Sequence, residues 1–310
     1  MTLTDKIIPR ERPVSWLEIS ADYSCNNRCI GCYSVLDTND GMDTREAFEV
    51  LQMGRQRGAR NLWMGGGEPT LRRDLTRILA QARRLGYERI KLQTNGMLLA
   101  YPQYLDKCVE AGLSEINFAI KGVNAESHDR LTRTPGCFDL MVKGMNEAAR
   151  AGLFMEGDIL VYRSNMAEIP EMIRFYTDLG LSRYNLWLFS ATDAGNKDLT
   201  RQVPRISEVM PHIMAAMDLG LSDRPDFISS LHTPPCTIPD SHRGCQFHAA
   251  DLDLLVANPN NYSFWLEESP IEGGHYFDRC RDCVEKPHCG GARIDYVRVH
   301  GDEEFQPTQP

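Results

Sequence analysis

The sequence predicts an α/β chain whose larger part is a partial (β/α)6 barrel of TIM type, followed by a small C-terminal cysteine-bearing extension. Three observations carry this. Short apolar runs alternate six times with helical patterns. The polar and glycine-rich residues fall just after those runs, and most of the ten cysteines gather in two groups, one near each end of the chain. The 310 residues, 42% hydrophobic and 25% charged, suffice for one large unit and a smaller one.

The candidate strands are 16–20, 61–64, 89–93, 115–120, 155–161 and 184–189. Between them apolar residues recur three and four apart, as at Leu75, Ile78, Leu79 and Ala82, or Ile169, Met172, Ile173 and Tyr176. That is the period of a helix with one buried face. Six such units in a row imply a parallel sheet with right-handed crossovers, closed or half-closed into a barrel. Barrels of this kind keep their chemistry at the C-terminal strand ends. Residues 25–32 follow the first strand, 65–69 the second, and Thr94, Asn95 and Gly96 the third. After about residue 222 prolines at 225, 234, 235, 239, 259 and 270 break up any helix, and only 252–257 and 262–265 read as strands. The chain therefore divides into an N-terminal segment 1–15, a core barrel 16–222 and an extension 223–310. The extension is poor in apolar periodicity, and a metal staple is expected there.

The net charge of −9, from 34 basic and 43 acidic side chains, offers no broad attraction to nucleic acid or an anionic membrane. No apolar run approaches the roughly 20 residues that span a bilayer, and residues 1–12 are too polar for a signal peptide. A cytoplasmic location is expected, where cysteines serve as metal ligands rather than disulfides.

Cys25-Asn-Asn-Arg-Cys29-Ile-Gly-Cys32 sets three thiols on one polar loop. Thiolates suit iron-sulfur clusters and zinc. A structural zinc needs four closed ligands, and the next histidine is His128. Three ligands on a four-iron cluster leave one iron open to a substrate. After the second strand comes Gly65-Gly66-Gly67-Glu68-Pro69-Thr70. Bare glycines let an ammonium or carboxylate approach the backbone, and a structural turn explains them as well.

Together these two motifs resemble the radical S-adenosylmethionine superfamily, whose signature is three cysteines spaced x3 and x2 after the first barrel strand. The resemblance implies that Cys25, Cys29 and Cys32 bind a [4Fe-4S] cluster whose open iron chelates S-adenosyl-L-methionine (SAM), and that Gly65, Gly66, Gly67 and Glu68 hold the methionine amine. It implies an enzyme in which reductive cleavage yields a 5'-deoxyadenosyl radical that takes hydrogen from a small-molecule or peptide substrate. A protein such as flavodoxin or ferredoxin would supply the electron. An aromatic residue often precedes the third cysteine and supports the adenine; here Gly31 stands there, with Tyr33 the nearest candidate. The family's ribose-binding Ser at the end of the fourth strand is absent from Ala119-Ile-Lys121-Gly122, which leaves Asn117 or Asn95 for the ribose. Lys121 is either a cation for the cofactor carboxylate or an acidic substrate, or a solvated rim lysine. Asn165 is a cofactor contact or a turn former, and Cys137 a hydrogen-atom donor or a plain buried cysteine.

Cys280-Arg-Asp-Cys283-Val-Glu-Lys-Pro-His-Cys289 forms a second group with spacings x2 and x5, fit for a second cluster or a zinc knuckle. It resembles the twitch form of the auxiliary-cluster extension, trimmed from the longer SPASM form. That implies an auxiliary [4Fe-4S] cluster on these three thiols and one more: Cys236 is the favoured fourth ligand and Cys245 the alternative. Tyr296, Gly301 and Glu304 fit a tail often seen after this cluster. The expected outcome is oxidative modification of a peptide or small natural product. A redox-neutral epimerisation using Cys137, and a zinc-binding interaction protein on a degenerate barrel, are the competing readings.

Overall fold

The structure, a computed structural model, describes residues 12–32, 41–191, 195–220, 224, 226–259, 262–269 and 272–309. Strands β1 (Trp16–Ser20), β2 (Asn61–Gly65), β3 (Arg89–Thr94), β4 (Glu115–Ile120), β5 (Phe154–Val161) and β6 (Arg183–Leu188) lie side by side in chain order, all parallel. Each agrees with its expected bounds to within one residue. Helices Thr44–Gln56, Leu75–Arg84, Pro102–Ala111, Ala125–Thr132, Cys137–Arg150 and Ile169–Asp178 form the crossovers, and Ile206–Met217 follows β6. Local chemistry sets their ends. The Asp43 carboxylate accepts from the Glu46 N–H at 2.7 Å and starts the first helix. Helix Pro102–Ala111 opens on its proline and stops at Gly112, whose φ of 116° closes the C-terminal turn.

The sheet is open. Its described strands run β7-β6-β5-β4-β3-β2-β1-β8-β9, with β7 (Ile228–Ser230), β8 (Leu254–Asn258) and β9 (Tyr262–Trp265) all drawn from beyond residue 222. β7 pairs parallel with β6, β8 pairs parallel with β1, and β9 returns antiparallel on β8. The two strands read in the extension therefore lengthen the barrel sheet. No helix among the described residues is long and apolar enough to cross a membrane.

Strand alternation separates two faces. Leu17, Ile19, Leu92, Ile116, Phe118 and Leu186 point outward and are buried among the helices. Inward, Trp16, Trp63, Leu254 and Val256 form a floor at the N-terminal strand ends. The Lys91 ammonium lies 4.9 Å and 4.8 Å from the Trp16 and Trp63 ring centres and pairs with Glu156 at 2.5 Å. Arg183 reaches the other oxygen of Glu156 at 3.1 Å, and Arg89 pairs with Glu115 beside it. Glu156 is only 2% exposed, and its removal leaves the buried ammonium with Glu115 alone, at 4.0 Å, at a cost of up to about 3–5 kcal/mol. Glu156→Ala should lower the denaturant midpoint accordingly, and Lys91→Met with Glu156→Leu should restore most of the loss. A single variant as stable as the parent would mean that the floor charges are solvated.

Candidate metal centres

The first three cysteines sit on the loop that leaves β1 and crosses the C-terminal ends of its neighbours. Backbone contacts hold that loop from several sides. Gly67 and Glu68 donate N–H to the carbonyls of Asp22 and Ser24 at 2.8 Å and 2.7 Å, and Arg28 and Ile30 donate to Thr132 and Leu131 at 3.0 Å and 2.9 Å. The Asn95 amide donates to the Asn26 side chain at 2.7 Å. A Cβ at Gly66 would lie 2.5 Å from the Asp22 carbonyl, and one at Gly67 would lie 2.2 Å from that of Ser24. The glycines are there first because the turn lies directly on the cysteine loop. With these N–H groups committed, the turn offers a ligand carbonyl oxygens, which suit an ammonium.

The thiols themselves match a soft-metal donor set. Cys25, Cys29 and Cys32 lie within one another's electrostatic reach. The Asn27 N–H donates to the Cys25 sulfur at 3.3 Å, a contact that favours a thiolate ligand. Burial pushes the Cys29 thiol up, and the nearby Lys121 ammonium opposes that shift. Lys121 is 8% exposed and stands at the end of β4, facing the loop.

Several candidate cofactor-binding side chains have hydrogen-bond partners within the protein. The Glu68 carboxylate is buried and accepts from Thr70 N at 3.0 Å, Thr94 Oγ1 at 2.7 Å and Asn95 N at 2.7 Å. It clamps β2 to β3. Asn165 donates to Lys121 O at 2.8 Å and Leu160 O at 3.0 Å and accepts from Tyr162 N at 2.7 Å, so it is the turn former. Asn95 is held by Asn26 and by Met97 N at 3.0 Å. Asn117 lies inside the barrel, fully buried. Tyr33 falls outside the described residues. Cys137 is fully buried under the cysteine loop, donating to Thr132 Oγ1 at 3.2 Å, with burial pushing its thiol up to about 11.

The structure also accounts for Gly31. Its φ is 68°, and a Cβ there would lie 2.3 Å from the Phe189 ring. Phe189, just past β6, stacks on Tyr162 at 4.5 Å, and the Tyr162 hydroxyl donates to Ile30 O at 3.0 Å. The aromatic volume absent at position 31 is filled from the opposite side of the barrel.

In the extension, Cys236 shares its surroundings with Cys280, Cys283 and Cys289, and burial pushes its thiol up to about 11. Cys245 instead lies in the apolar core, near Asp218. The Gly291 N–H donates to the Cys289 sulfur at 3.3 Å, the same two-residue turn seen at Cys25. Among the described residues no three His, Cys, Asp or Glu side chains are drawn together as for a single metal ion. The extension is fastened to the barrel by Arg293, 3% exposed, which donates to Leu188 O, to Phe189 O at 2.8 Å and to Asp295 at 2.9 Å. Tyr296 and Glu304 acquire a role: the Tyr296 hydroxyl accepts from Ile206 N at 3.0 Å and donates to Glu304, which accepts from Ser207 N at 2.9 Å. They cap helix Ile206–Met217.

A polar wall between floor and mouth went unread in the sequence. Glu18, Gln93, Asp158, Asn185 and Trp187 face inward, with His232 and Glu272 nearby. Its trace was the acid or amide at every second position of otherwise apolar strands. By contrast a groove of about 690 Å³, lined by Phe48, Arg77 and Arg84, lies on the outer helices, apart from both cysteine groups.

A profile described as the Radical SAM superfamily matches residues 22–176. A curated protein of Saccharolobus solfataricus named "Probable GTP 3',8-cyclase" is 30% identical over 178 residues, covering 56% of this chain and 57% of that protein. The chain thus spans little more than half the length of that relative. Streptococcus suis SuiB, solved with S-adenosylmethionine bound, shares the fold at a TM-score of 0.68 and 12% identity over 96% of this chain and 76% of its own. The enzyme anSMEcpe with bound AdoMet and Cp18Cys peptide aligns at a TM-score of 0.62 and 13% identity, covering 96% and 93%.

The packing at position 31 is testable. Gly31→Tyr should lose both thermal stability and cluster iron, since the new side chain meets Phe189 and the backbone there is left-handed. Adding Phe189→Ala should recover much of the iron. Wild-type iron in the single variant would show that the two positions do not compete for space.

Proposed function

This chain belongs to the radical SAM superfamily, and on that premise we propose that it modifies a peptide or small natural product by net oxidation. Membership makes it an enzyme that binds a [4Fe-4S] cluster and cleaves SAM. When bound, the first cluster and SAM supply a hydrogen-abstracting 5'-deoxyadenosyl radical, and a second cluster in the extension supplies a one-electron sink. Segment 223–310 is then an auxiliary-cluster extension to the core. The observation that carries the oxidative outcome is the company Cys236 keeps. Together with Cys280, Cys283 and Cys289 it makes four thiols in one neighbourhood, enough to close every ligand position of a cluster.

The remaining roles fall to this chain's own groups. Cys25, Cys29 and Cys32 hold the first cluster, and the carbonyls of the Gly65-Gly66-Gly67 turn take the methionine ammonium. Lys121, which forms no ion pair among the described residues and faces Cys29, suits the methionine carboxylate. Phe189 and Tyr162 close the cysteine loop against water. A reducing protein of flavodoxin or ferredoxin type delivers the electron.

The burial of Cys137 beneath the loop argues against its donating hydrogen to a substrate radical in the barrel. The polar wall argues against a nucleoside triphosphate, the substrate class in the relatives' name, because Glu18, Asp158 and Glu272 would repel it. The peptide carried by anSMEcpe is in keeping with a peptide substrate here.

Anaerobic reconstitution tests this. Iron and sulfide should reach about eight per chain, as two four-iron clusters require, and dithionite with SAM should release 5'-deoxyadenosine. Cys236→Ala should lose the second cluster and Cys245→Ala should keep it. Absence of deoxyadenosine from the iron-loaded protein would overturn the radical reading, and an iron count unchanged by Cys236→Ala would overturn the auxiliary assignment.

A further inference from the structure

Inside the barrel, between the tryptophan floor and the cysteine loop, the wall is neither apolar nor neutral. Glu18 on β1 and Asp158 on β5 face this space, and Glu272 from the extension lies close enough to raise the Glu18 carboxyl with them. The interior residues Glu18, Gln93, Ala119, Leu160, Asn185 and Trp187 are each partly accessible. Their outward neighbours on the same strands are buried. Glu18 is thus reached by water although its strand neighbours are buried, so it faces a space that side chains do not fill.

The two strand acids lack counter-ions, whereas Glu272 lies within reach of the Arg293 guanidinium. Among the described residues neither Glu18 nor Asp158 forms a salt bridge. Glu18 accepts from Ser20 Oγ at 3.2 Å, and Asp158 accepts from the neutral amides of Gln93 at 3.0 Å and Asn185 at 2.9 Å. Glu272 meets His232 at 3.2 Å, and burial holds that imidazole toward its neutral form. The nearby cations are committed: Lys91 and Arg183 to Glu156, and Arg293 to Asp295 and two carbonyls. Lys121 lies at the mouth beside Cys29.

A second, independent feature points to a ligand. Asn117 on β4 is 0% exposed, and neither its amide nitrogen nor its oxygen has a hydrogen-bond partner. It faces the Asp158 carboxyl closely enough to favour its ionised form, without a well-formed bond. A buried primary amide with both ends unmet is costly, by roughly 1–3 kcal/mol per group. A partner entering the barrel would relieve it.

We infer that this space is a substrate subsite for an organic cation, a primary ammonium or guanidinium on a slim aliphatic chain, received by Glu18 and Asp158 with Asn117 completing its hydrogen bonds. The inference rests on the reading that substrate reacts at the mouth of this barrel. Glu18 springs from two residues below the end of β1, and its carboxylate lies beside Ser20 and Gly65 near the strand ends, so a slim cationic group reaches it past the glycine turn. Burial pushes the Glu18 carboxyl up to about 7, the state of an acid awaiting a cation. A bound ammonium would draw it back toward ionisation.

The test uses anaerobically reconstituted holoenzyme with SAM and calorimetric titration of three probes: agmatine, N-acetyl-arginine amide and its uncharged isostere N-acetyl-citrulline amide. The arginine amide or agmatine should bind at least tenfold more tightly than the citrulline amide. Glu18→Gln and Asp158→Asn, each checked for wild-type iron content, should abolish that preference. Binding of agmatine alone would assign a free amine, and binding of both cations a basic peptide side chain. Equal binding of charged and neutral probes, no binding of any, or a preference that survives both substitutions overturns the inference. Wild-type protein that forms deoxyadenosine yet shows no preference loses only the cation site. Protein that shows the preference but forms no deoxyadenosine loses the radical reading and keeps the site.

Discussion

The cysteine loop and the Gly66-Gly67 turn lie backbone against backbone, so close that a single Cβ on either glycine would strike a carbonyl of the loop. Much else depends on that contact. The N–H groups of Gly67 and Glu68 are spent on Asp22 and Ser24, which holds the thiol-bearing loop over the strand ends without help from any ligand. The Glu68 carboxylate in turn gathers Thr70, Thr94 and Asn95, and Asn95 reaches back to Asn26. β1, β2 and β3 are thus tied at their C-terminal ends through one buried acid. Such prepaid order matters where a cofactor must be oriented rather than merely bound.

Below that rim the barrel departs from a packed core. Barrels closed by eight strands fill their centres with apolar layers. Here the sheet is open, and carboxylates and amides occupy the middle of its inner face. The charged floor is balanced, since Lys91 and Arg183 answer Glu156. The layer above it is not balanced, and a protein carries that imbalance only where a ligand or solvent completes it. The same wall that costs stability thereby defines a chemical preference.

The extension is bound to the barrel by polar as well as strand contacts. Arg293 places a buried guanidinium on the carbonyls that end β6, and Asp295 takes up Ser190 and Ala191 beside it. Tyr296 and Glu304 cap a barrel helix from the chain's last turn. The second thiol group therefore lies on a scaffold continuous with the first, even though the cysteines of each are separated by some two hundred residues of chain.

Much was legible in the sequence. Apolar period and punctuation located the six barrel strands, because burial on one face imposes alternation that neighbours in the chain must obey. Cysteine spacing located both thiol groups, since three thiols within eight or ten residues lie on one short loop. What lay between distant residues was not legible. That Cys236 and not Cys245 joins the C-terminal thiols is decided by how the proline-rich segment packs. That Phe189 fills the space above Gly31 depends on a contact across the barrel. The side-chain partners of Glu68 on β3 and of Asn165 beyond β4 are likewise contacts between distant segments. The acidic wall of Glu18 and Asp158 arises only when β1 and β5 face each other. Local sequence determined which elements form, because their period is local; tertiary structure decided which polar groups meet, because that depends on register and curvature, which no single segment encodes.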